Sequence, residues 1–359
     1  LKNNGPSVLA VGGDLKNTIC LLKNKNARIS QHIGDLENLK AYENFQQSIH
    51  HLKNIFDIQP DLLACDMHPG YFSTQWAKSI SYLPLIEVQH HHAHLASGMA
   101  ESGLEDPVIG IIMDGTGYGL DHTIWGGEFL VGDYHGFQRI NKFQNMPLPG
   151  GDAAIKSPWR AAIGYLYKTY GDNLPDLPFM MLHDYEPVVQ IVKKGINSPF
   201  TSSCGRLFDA VSAMCGGKQE IRYEGQAAIE FMNVAAVDDK SCLDYDVIGD
   251  VISVESIIRS VVKCLKMDNS ISVISRKFHN TMTKILTQVA IQISKKTGIN
   301  DVVLSGGVFQ NRILLTGVNA ALEKNGLTVF SHEQIPTNDG GISLGQAMIA
   351  RNKLQNNKN

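Results

Sequence analysis

The chain lacks paired cysteines. Its six, Cys20, Cys65, Cys204, Cys215, Cys242 and Cys264, are scattered with no CxxC. That spacing excludes a thiolate zinc finger and a disulfide framework, and leaves reduced cytosolic thiols that act as small hydrophobes rather than nucleophiles. No apolar run approaches the roughly 18–20 residues that span a bilayer, and the opening LKNNGPSVLA is no signal peptide, so no membrane partner and a cytoplasmic location are expected. Basic excess is also missing. The 32 Lys+Arg against 35 Asp+Glu leave −3 with His neutral, which gives no support to nucleic-acid binding. There is no Walker A loop, and no GxGxxG after a strand with an acid about 20 residues on, which excludes P-loop and Rossmann nucleotide sites. No Met begins the chain, so a piece of a longer protein is expected.

With 43% hydrophobic and 19% charged residues over 359 positions, the chain has ample core for about two domains. The excess lies in 33 Gly and 13 His, both clustered. Short β-branched runs alternate with amphipathic stretches, the pattern of an α/β protein. Three runs lead into glycine-rich turns: Val8–Val11 into GGDLKNT, Val108–Met113 into DGTGYG, and Val302–Leu304 into SGGVFQN. Helices are expected over Lys156–Tyr170, Gly225–Val237, Ile271–Lys296, Gln310–Lys324 and Gly341–Leu354, and the terminal NNKN is expected to fray. One strand–glycine turn is ordinary. Three, two of them with adjacent polar residues (Lys16, Asn17 and Thr18; Gln310 and Asn311), favour a nucleotide held by backbone N–H groups between two lobes. The fold class expected is therefore a two-lobed α/β clamp of the actin, Hsp70 and sugar-kinase (ASKHA) type. Its lobes would divide at residues 1–145 and 146–359.

The segment IEVQHHHAHLASGMAE places His90, His91, His92 and His94 after a short strand and at the start of a helix. Residues i and i+4 share a helix face, so His90 and His94 can address one ion; His91 with His94 is a second pairing, and His92 faces elsewhere. A lone histidine would be read as structural, but four in five positions favour a ligand pair. Zinc or iron suits two imidazoles completed by carboxylates. The carboxylates offered are Asp114, at a strand end, and Asp339, in the TNDGG turn, against the plainer roles of turn-former and N-cap. The Glu of HExxH is absent, so a zinc-protease base is not supplied locally, and a sugar kinase gives the His pair no task.

Taken together, VLAVGGDLKNT, SQHIGDLEN, ACDMHPGYFST, VQHHHAHLAS, DGTGYGLDHTIWGGEF, MPLPGGDAAIKSPWR, GRLFDAVSA, YEGQAAIE, LSGGVFQNR and TNDGGISLGQA resemble the C-terminal part of the [NiFe]-hydrogenase maturation carbamoyltransferases, HypF. The resemblance runs from about residue 6 to residue 350. It implies the ASKHA fold, ATP or carbamoyl-adenylate in the interlobe cleft (with Mg accompanying the nucleotide), and a Zn or Fe ion on His90, His94, Asp114 and Asp339. The related tRNA-modifying enzymes carry a TDN-like turn where this chain has Thr337-Asn338-Asp339. Nucleotide contacts implied are Lys16, Asn17, Thr18, Gly115, Gly117, Gly306, Gly307 and Asn311, while Lys156 and Arg160 are candidates for a substrate channel or an interlobe contact. The family's acylphosphatase, zinc-finger and adenylate-forming domains are not in this sequence. The step implied is the last one, carbamoyl transfer to the C-terminal cysteine of a HypE-type partner in concert with the upstream domains. His92 or His68 could take the thiol proton, against a structural role for each. Two other functions share these features: a small-molecule O-carbamoyltransferase and a non-catalytic, nucleotide-gated docking module.

Overall fold

A computed structural model of the chain describes residues 4–356. The NNKN end expected to fray lies outside the described residues from position 357 on. Two sheets organise the molecule. The first has order β3-β2-β1-β4-β5, from β1 (Val8–Ala10), β2 (Cys20–Lys23), β3 (Asn26–Ile29), β4 (Leu62–Asp66) and β5 (Leu85–Val88). β1, β4 and β5 run parallel, and the hairpin β2–β3 adds antiparallel strands. The second sheet begins at β6 (Val108–Tyr118) and β7 (Ile124–Gly132) and continues through β8 (Phe137–Phe143), β9 (Met146–Pro147), β10 (Phe200–Thr201), β11 (Val247–Ile248), β12 (Val251–Ile252), β13 (Asp301–Ser305) and β14 (Thr328–Ser331). Its main path is β11-β12-β8-β7-β6-β13-β14. The boundary expected at residue 145 falls inside this second sheet, between β8 and β9; the strands change sheet between Val88 and Val108.

Helices cover both faces of both sheets, which is why the central parallel strands are apolar throughout. α1 (Leu39–Ile55) and α2 (Phe72–Ser79) flank the first sheet, where Leu9, Val11, Leu63 and Cys65 meet Phe45, Ile49 and Ala77. On the other face of β1, Val8 and Ala10 join a layer built by α3 (His90–Ser102) and the chain-terminal helix Ile342–Asn356. This layer lies between the sheets, since Ile112 of β6 and Val303 of β13 belong to the same cluster. Their neighbours Ile109, Ile111, Val302 and Leu304 face the opposite way, into a third cluster. There they meet α4 (Asp152–Lys156), α5 (Pro158–Tyr170), α6 (Glu186–Lys194), α7 (Cys204–Met214), α8 (Gln226–Asn233), α9 (Val254–Lys266), α10 (Ile271–Thr297) and α11 (Arg312–Lys324); the terminal helix is α12. This two-residue alternation gives each strand two cores. The result is the expected two-lobed ASKHA-type α/β architecture.

The α3–α12 crossing is very close. A Cβ on Gly345 would lie 1.9 Å from Ala93 O and 2.9 Å from Ser97 N. Two sequence expectations change. Helix Lys156–Tyr170 is broken at Ser157, because Pro158 opens α5 with its fixed φ. DGTGYG is not a turn: it continues β6, with a shift of register between Met113 and Gly117, and the turn comes later, where Gly119 N donates to Thr123 O. All six cysteines are free, and burial pushes the thiols of Cys20 and Cys65 up to about 12, which suits their reading as core residues. Among the described residues no helix is long and apolar enough to cross a membrane.

Candidate functional site

Helix α3 starts where β5 ends, and Gln89 caps it by accepting from His92 N through its side-chain oxygen. The helix is buried on all sides from His90 to Ala100, so its imidazoles cannot point to solvent. His90 and His94 share a face as their spacing predicts. Asp114, within β6, and Asp339, in the 3-10 turn Asp339–Gly341 that follows β14, meet that face. His90 Nε2 lies 3.5 Å from Asp114 Oδ2 and 3.6 Å from Asp339 Oδ1; His94 Nε2 lies 3.8 and 3.6 Å from the same atoms. All four ligand atoms fall within 4.8 Å of one another. Four donors about 2.1 Å from a shared tetrahedral centre would be about 3.4 Å apart, so these separations match a shell around one ion better than direct contacts.

The burial supports the same geometry. His90 Nε2, His94 Nε2 and Asp114 Oδ2 are buried without a hydrogen-bond partner, a costly arrangement unless something sits between them. Burial would lower the pKa of His90, but Asp339 and Asp66, with Asp114, overcome it and hold the imidazole well above its usual range. His94 is likewise raised against its burial, by Asp114 and Asp339. Burial acting alone would raise Asp339; His90 more than offsets it and brings the carboxyl down to about 2. The Thr-Asn-Asp order is explained locally. Asn338 Oδ1 accepts from Gly340 N and closes the turn, which leaves the Asp339 carboxylate free for the histidines.

Behind each imidazole is a second layer that sequence reasoning missed. His90 Nδ1 is 2.7 Å from Asp66 Oδ2, at the end of β4. His94 Nδ1 is 3.3 Å from Ser305 Oγ, which is 3.0 Å from His332 Nε2, whose Nδ1 is 2.7 Å from Glu101 Oε2. Asp66 stood in the quoted ACDMH stretch, a buried strand ending in an acid, and that signal could have found it. Ser305 stood in LSGGVFQNR without a role, and nothing local marks His332 and Glu101.

The other histidines divide clearly. His91 is buried against Trp125, and burial with the neighbouring His90 holds its pKa well below normal. It is not in the cluster. His92 faces elsewhere, as its spacing predicts: its Nε2 is 2.6 Å from Asp133 O and its ring packs on Phe137, a structural role rather than that of a base at the cluster. His68 stacks on Tyr71 at 4.2 Å on the loop after β4, and burial lowers its pKa.

A cavity opens beside the cluster, lined by Lys16, Asp114, Gly115, Arg206, Glu224 and Gly307 among others. Asn311 lines it as well, while its side chain caps α11 and donates to His279 Nε2. Glycine permits the close approaches here: Gly115 faces Gly205, where an added Cβ would lie 2.9 Å from Gly115 Cα. Lys16 reaches across to an ion pair with Glu224. Arg206, at the first turn of α7, keeps Nε buried and unpartnered while Nη2 pairs with Asp209 at 2.9 Å. Arg206 and Asp209 were in the quoted GRLFDAVSA without a role.

Several expected nucleotide contacts are used otherwise. Asn17 Nδ2 donates to Val11 O and Gly13 O and fixes the loop after β1, while Thr18 Oγ1 donates to Gly340 O and fixes backbone in the Asp339 turn. Gly117 makes room for imidazoles, since a Cβ there would lie 2.5 Å from His91 Cε1 and 2.7 Å from His90 Cδ2. Gly306, at φ +103°, seats the turn after β13 against Met113 O, 2.2 Å from where a Cβ would be. Lys156 is exposed, and Arg160 Nε donates to Pro149 O.

Residues 3–101 match the family described as HypF Kae1-like domain, and residues 110–346 match the carbamoyltransferase, Kae1-like domain, second subdomain. The chain belongs to the HypF family. The carbamoyltransferase HypF of Rhizobium leguminosarum bv. viciae is 37% identical over 98% of this chain and 46% of its own length. A carbamoyltransferase HypF homolog of Cupriavidus necator is 32% identical over 96% of this chain and 91% of its own. A crystal structure of full-length HypF in a phosphate- and nucleotide-bound form superposes with a TM-score of 0.94 and 44% identity, over 99% of this chain and 57% of that one. The chain thus spans about half the length of most curated relatives it matches.

Proposed function

We propose that the chain transfers a carbamoyl group from carbamoyl-adenylate to the C-terminal cysteine of a HypE-type partner. One observation carries this reading: Asp114 belongs to both halves of the site. Its Oδ2 faces His90 and His94, while its Oδ1 accepts from Gly307 N, 3.0 Å away, in the cavity wall. A group carried on the α-phosphate of a nucleotide in the cavity would therefore lie beside the His–Asp cluster.

His90, His94, Asp114 and Asp339 fit a Zn or Fe ion, because their unpartnered buried atoms converge and their N/O donor set suits either metal. Such an ion supplies Lewis-acid polarisation of the carbamoyl or phosphate oxygen. The chain's own residues do the rest. Backbone N–H groups at Gly115 and the first turn of α7, with the Arg206 guanidinium and Lys16, would hold phosphate oxygens at a helix N-terminus. The partner's thiolate attacks the carbamoyl carbon; the new S–C bond forms as the C–O bond to phosphate breaks, and AMP departs with that electron pair. Of the two suggested bases only His68, half-buried and not tied into α3, is left to take the thiol proton. A mixed anhydride already carries a good leaving group, so orientation and electrostatics provide most of the rate.

Incubation of the chain with carbamoyl-adenylate and either a HypE-type protein or a hydroxylated small acceptor tests the assignment. Thiocarbamate on the partner's terminal cysteine is the expected product. Carbamate ester on the small acceptor alone would overturn it.

Lys16 gives a further prediction. Its ammonium is shared with Glu224 across the cavity, and a nucleotide phosphate would compete with that carboxylate. Lys16→Ala should weaken ATP binding about tenfold, or about 1.4 kcal/mol, whereas Glu224→Gln should strengthen it. Calorimetric titration reads both, and an unchanged affinity in the two variants would remove Lys16 from the phosphate site.

A further inference from the structure

The hydrogen bonds behind His94 form a chain with a direction. Glu101 Oε1 accepts three backbone N–H groups, from Glu333 at 2.9 Å, Gln334 at 2.5 Å and Ile335 at 3.2 Å. Its Oε2 is left to His332 Nδ1 at 2.7 Å, and an ionised carboxylate can only accept. The proton of His332 is therefore on Nδ1, and its Nε2 is an acceptor. Ser305 Oγ, 3.0 Å from that nitrogen, must donate to it, which leaves the Ser305 oxygen to accept from His94 Nδ1–H at 3.3 Å. In the neutral imidazole, the form that binds a metal, the His94 proton is thereby fixed on Nδ1, and Nε2, facing Asp114 and Asp339, keeps its lone pair. Every donor in the sequence has one acceptor, and the order cannot be reversed while Glu101 remains ionised.

We infer that Glu101, His332 and Ser305 are positioning residues, a relay that holds His94 in the one tautomer able to bind a metal through Nε2. The inference rests on the metal centre proposed above. His90 obtains the same service directly from Asp66, at 2.7 Å; His94 obtains it through two intermediates. The Ser–His–Glu order resembles a hydrolase triad, but Ser305 is 0% exposed and its oxygen points at His94 rather than into a cavity, so it has no access to a substrate. The fold makes the relay possible. Parallel pairing of β13 with β14 sets Leu304 beside Ser331, which brings Ser305 level with His332 at the ends of the two strands. Glu101 comes from α3 itself, seven residues after His94. Through the same carboxylate it fastens residues 333–335, the segment that leads to Asp339. Two of the four ligands thus depend on one side chain.

Glu101→Gln is the discriminating substitution because it conserves shape and reverses polarity. The amide oxygen must turn to the three backbone N–H groups, so its NH2 faces His332 Nδ1. His332 then carries its proton on Nε2, Ser305 donates to His94 Nδ1, and the His94 proton is forced onto Nε2. Metal affinity of the whole chain, read by chelator competition with Zn²⁺, should fall about 10–100-fold in Glu101→Gln and in Ser305→Ala. The visible bands of the Co²⁺-loaded chain should change with it. His332→Leu should behave like these two, whereas His332→Gln, which can still accept from Ser305 and donate to Glu101, should restore most of the affinity. Circular dichroism confirms folding, and Ser305→Ala carries the test should Glu101→Gln fail to fold. Parent-like affinity and Co²⁺ spectra in Glu101→Gln and Ser305→Ala would overturn the relay and leave the metal centre standing. A parent chain that takes up neither Zn²⁺ nor Co²⁺ would overturn both.

Discussion

His90→Ala will leave a folded chain without bound metal and with carbamoyl transfer reduced by about a thousandfold or more. The magnitude follows from the several kcal/mol that Lewis-acid stabilisation contributes, at about 1.4 kcal/mol per factor of ten. His90 is the most connected member of the cluster: one nitrogen faces both carboxylates, and the other is 2.7 Å from Asp66. Its removal deletes a ligand and strands Asp66 together. His92→Ala is the matched control. It lies two residues away on the same helix, but its bond goes to Asp133 O, so it should lose some stability and no metal. Elemental analysis, circular dichroism and a transfer assay from carbamoyl-adenylate decide the matter. Metal retained in the His90→Ala protein would sink the ligand assignment. Metal lost with transfer unchanged would instead favour a nucleotide-gated docking module.

The second large effect is structural. Gly345→Ala adds one methyl group where α12 crosses α3, at 1.9 Å from Ala93 O and 2.9 Å from Ser97 N. Both obstacles are backbone atoms of a helix buried on every side, so no rotamer change relieves the contact. Overpacking of a core costs about 1–3 kcal/mol when side chains can give way, and more when they cannot. A Tm lower by roughly 5–10 °C is expected. Because α3 also carries His90 and His94, the displaced helix should bind metal more weakly even below the melting transition. A Tm within one degree of the parent would show that the crossing is looser than the structure has it.

Much of the site could be read from the residues, and the reason is periodicity. His90 and His94 are four apart on a helix, a spacing whose geometry needs no tertiary information. Asp114 and Asp339 mark a strand and a turn that a two-lobed α/β fold brings to one cleft. Where the reading failed, polar residues next to glycine were assigned to ligand when the backbone needed them. Asn17 holds the loop after β1, Thr18 holds the turn at Asp339, and Gly117 gives space to imidazole rings. The unbroken β6 through DGTGYG was hidden because glycine is usually punctuation, whereas here its missing Cβ lets a strand pass against histidines and another helix end. The relay was beyond reach for a different reason. Glu101 and His332 are 231 residues apart in sequence, and only the pairing of β13 with β14 sets the contact.

Asp114 has a consequence for energetics as well as for chemistry. Its two oxygens serve two neighbouring sites, so an ion that orients the carboxylate also fixes the acceptor for Gly307 N, and a nucleotide that orders the Gly307 loop also aims Oδ2 at the histidines. Linkage requires the two effects to be equal: whatever factor the ion adds to nucleotide affinity, the nucleotide adds to ion affinity. If both sites bind as proposed, one carboxylate would make their loading cooperative, and departure of AMP would loosen the ion by that same factor.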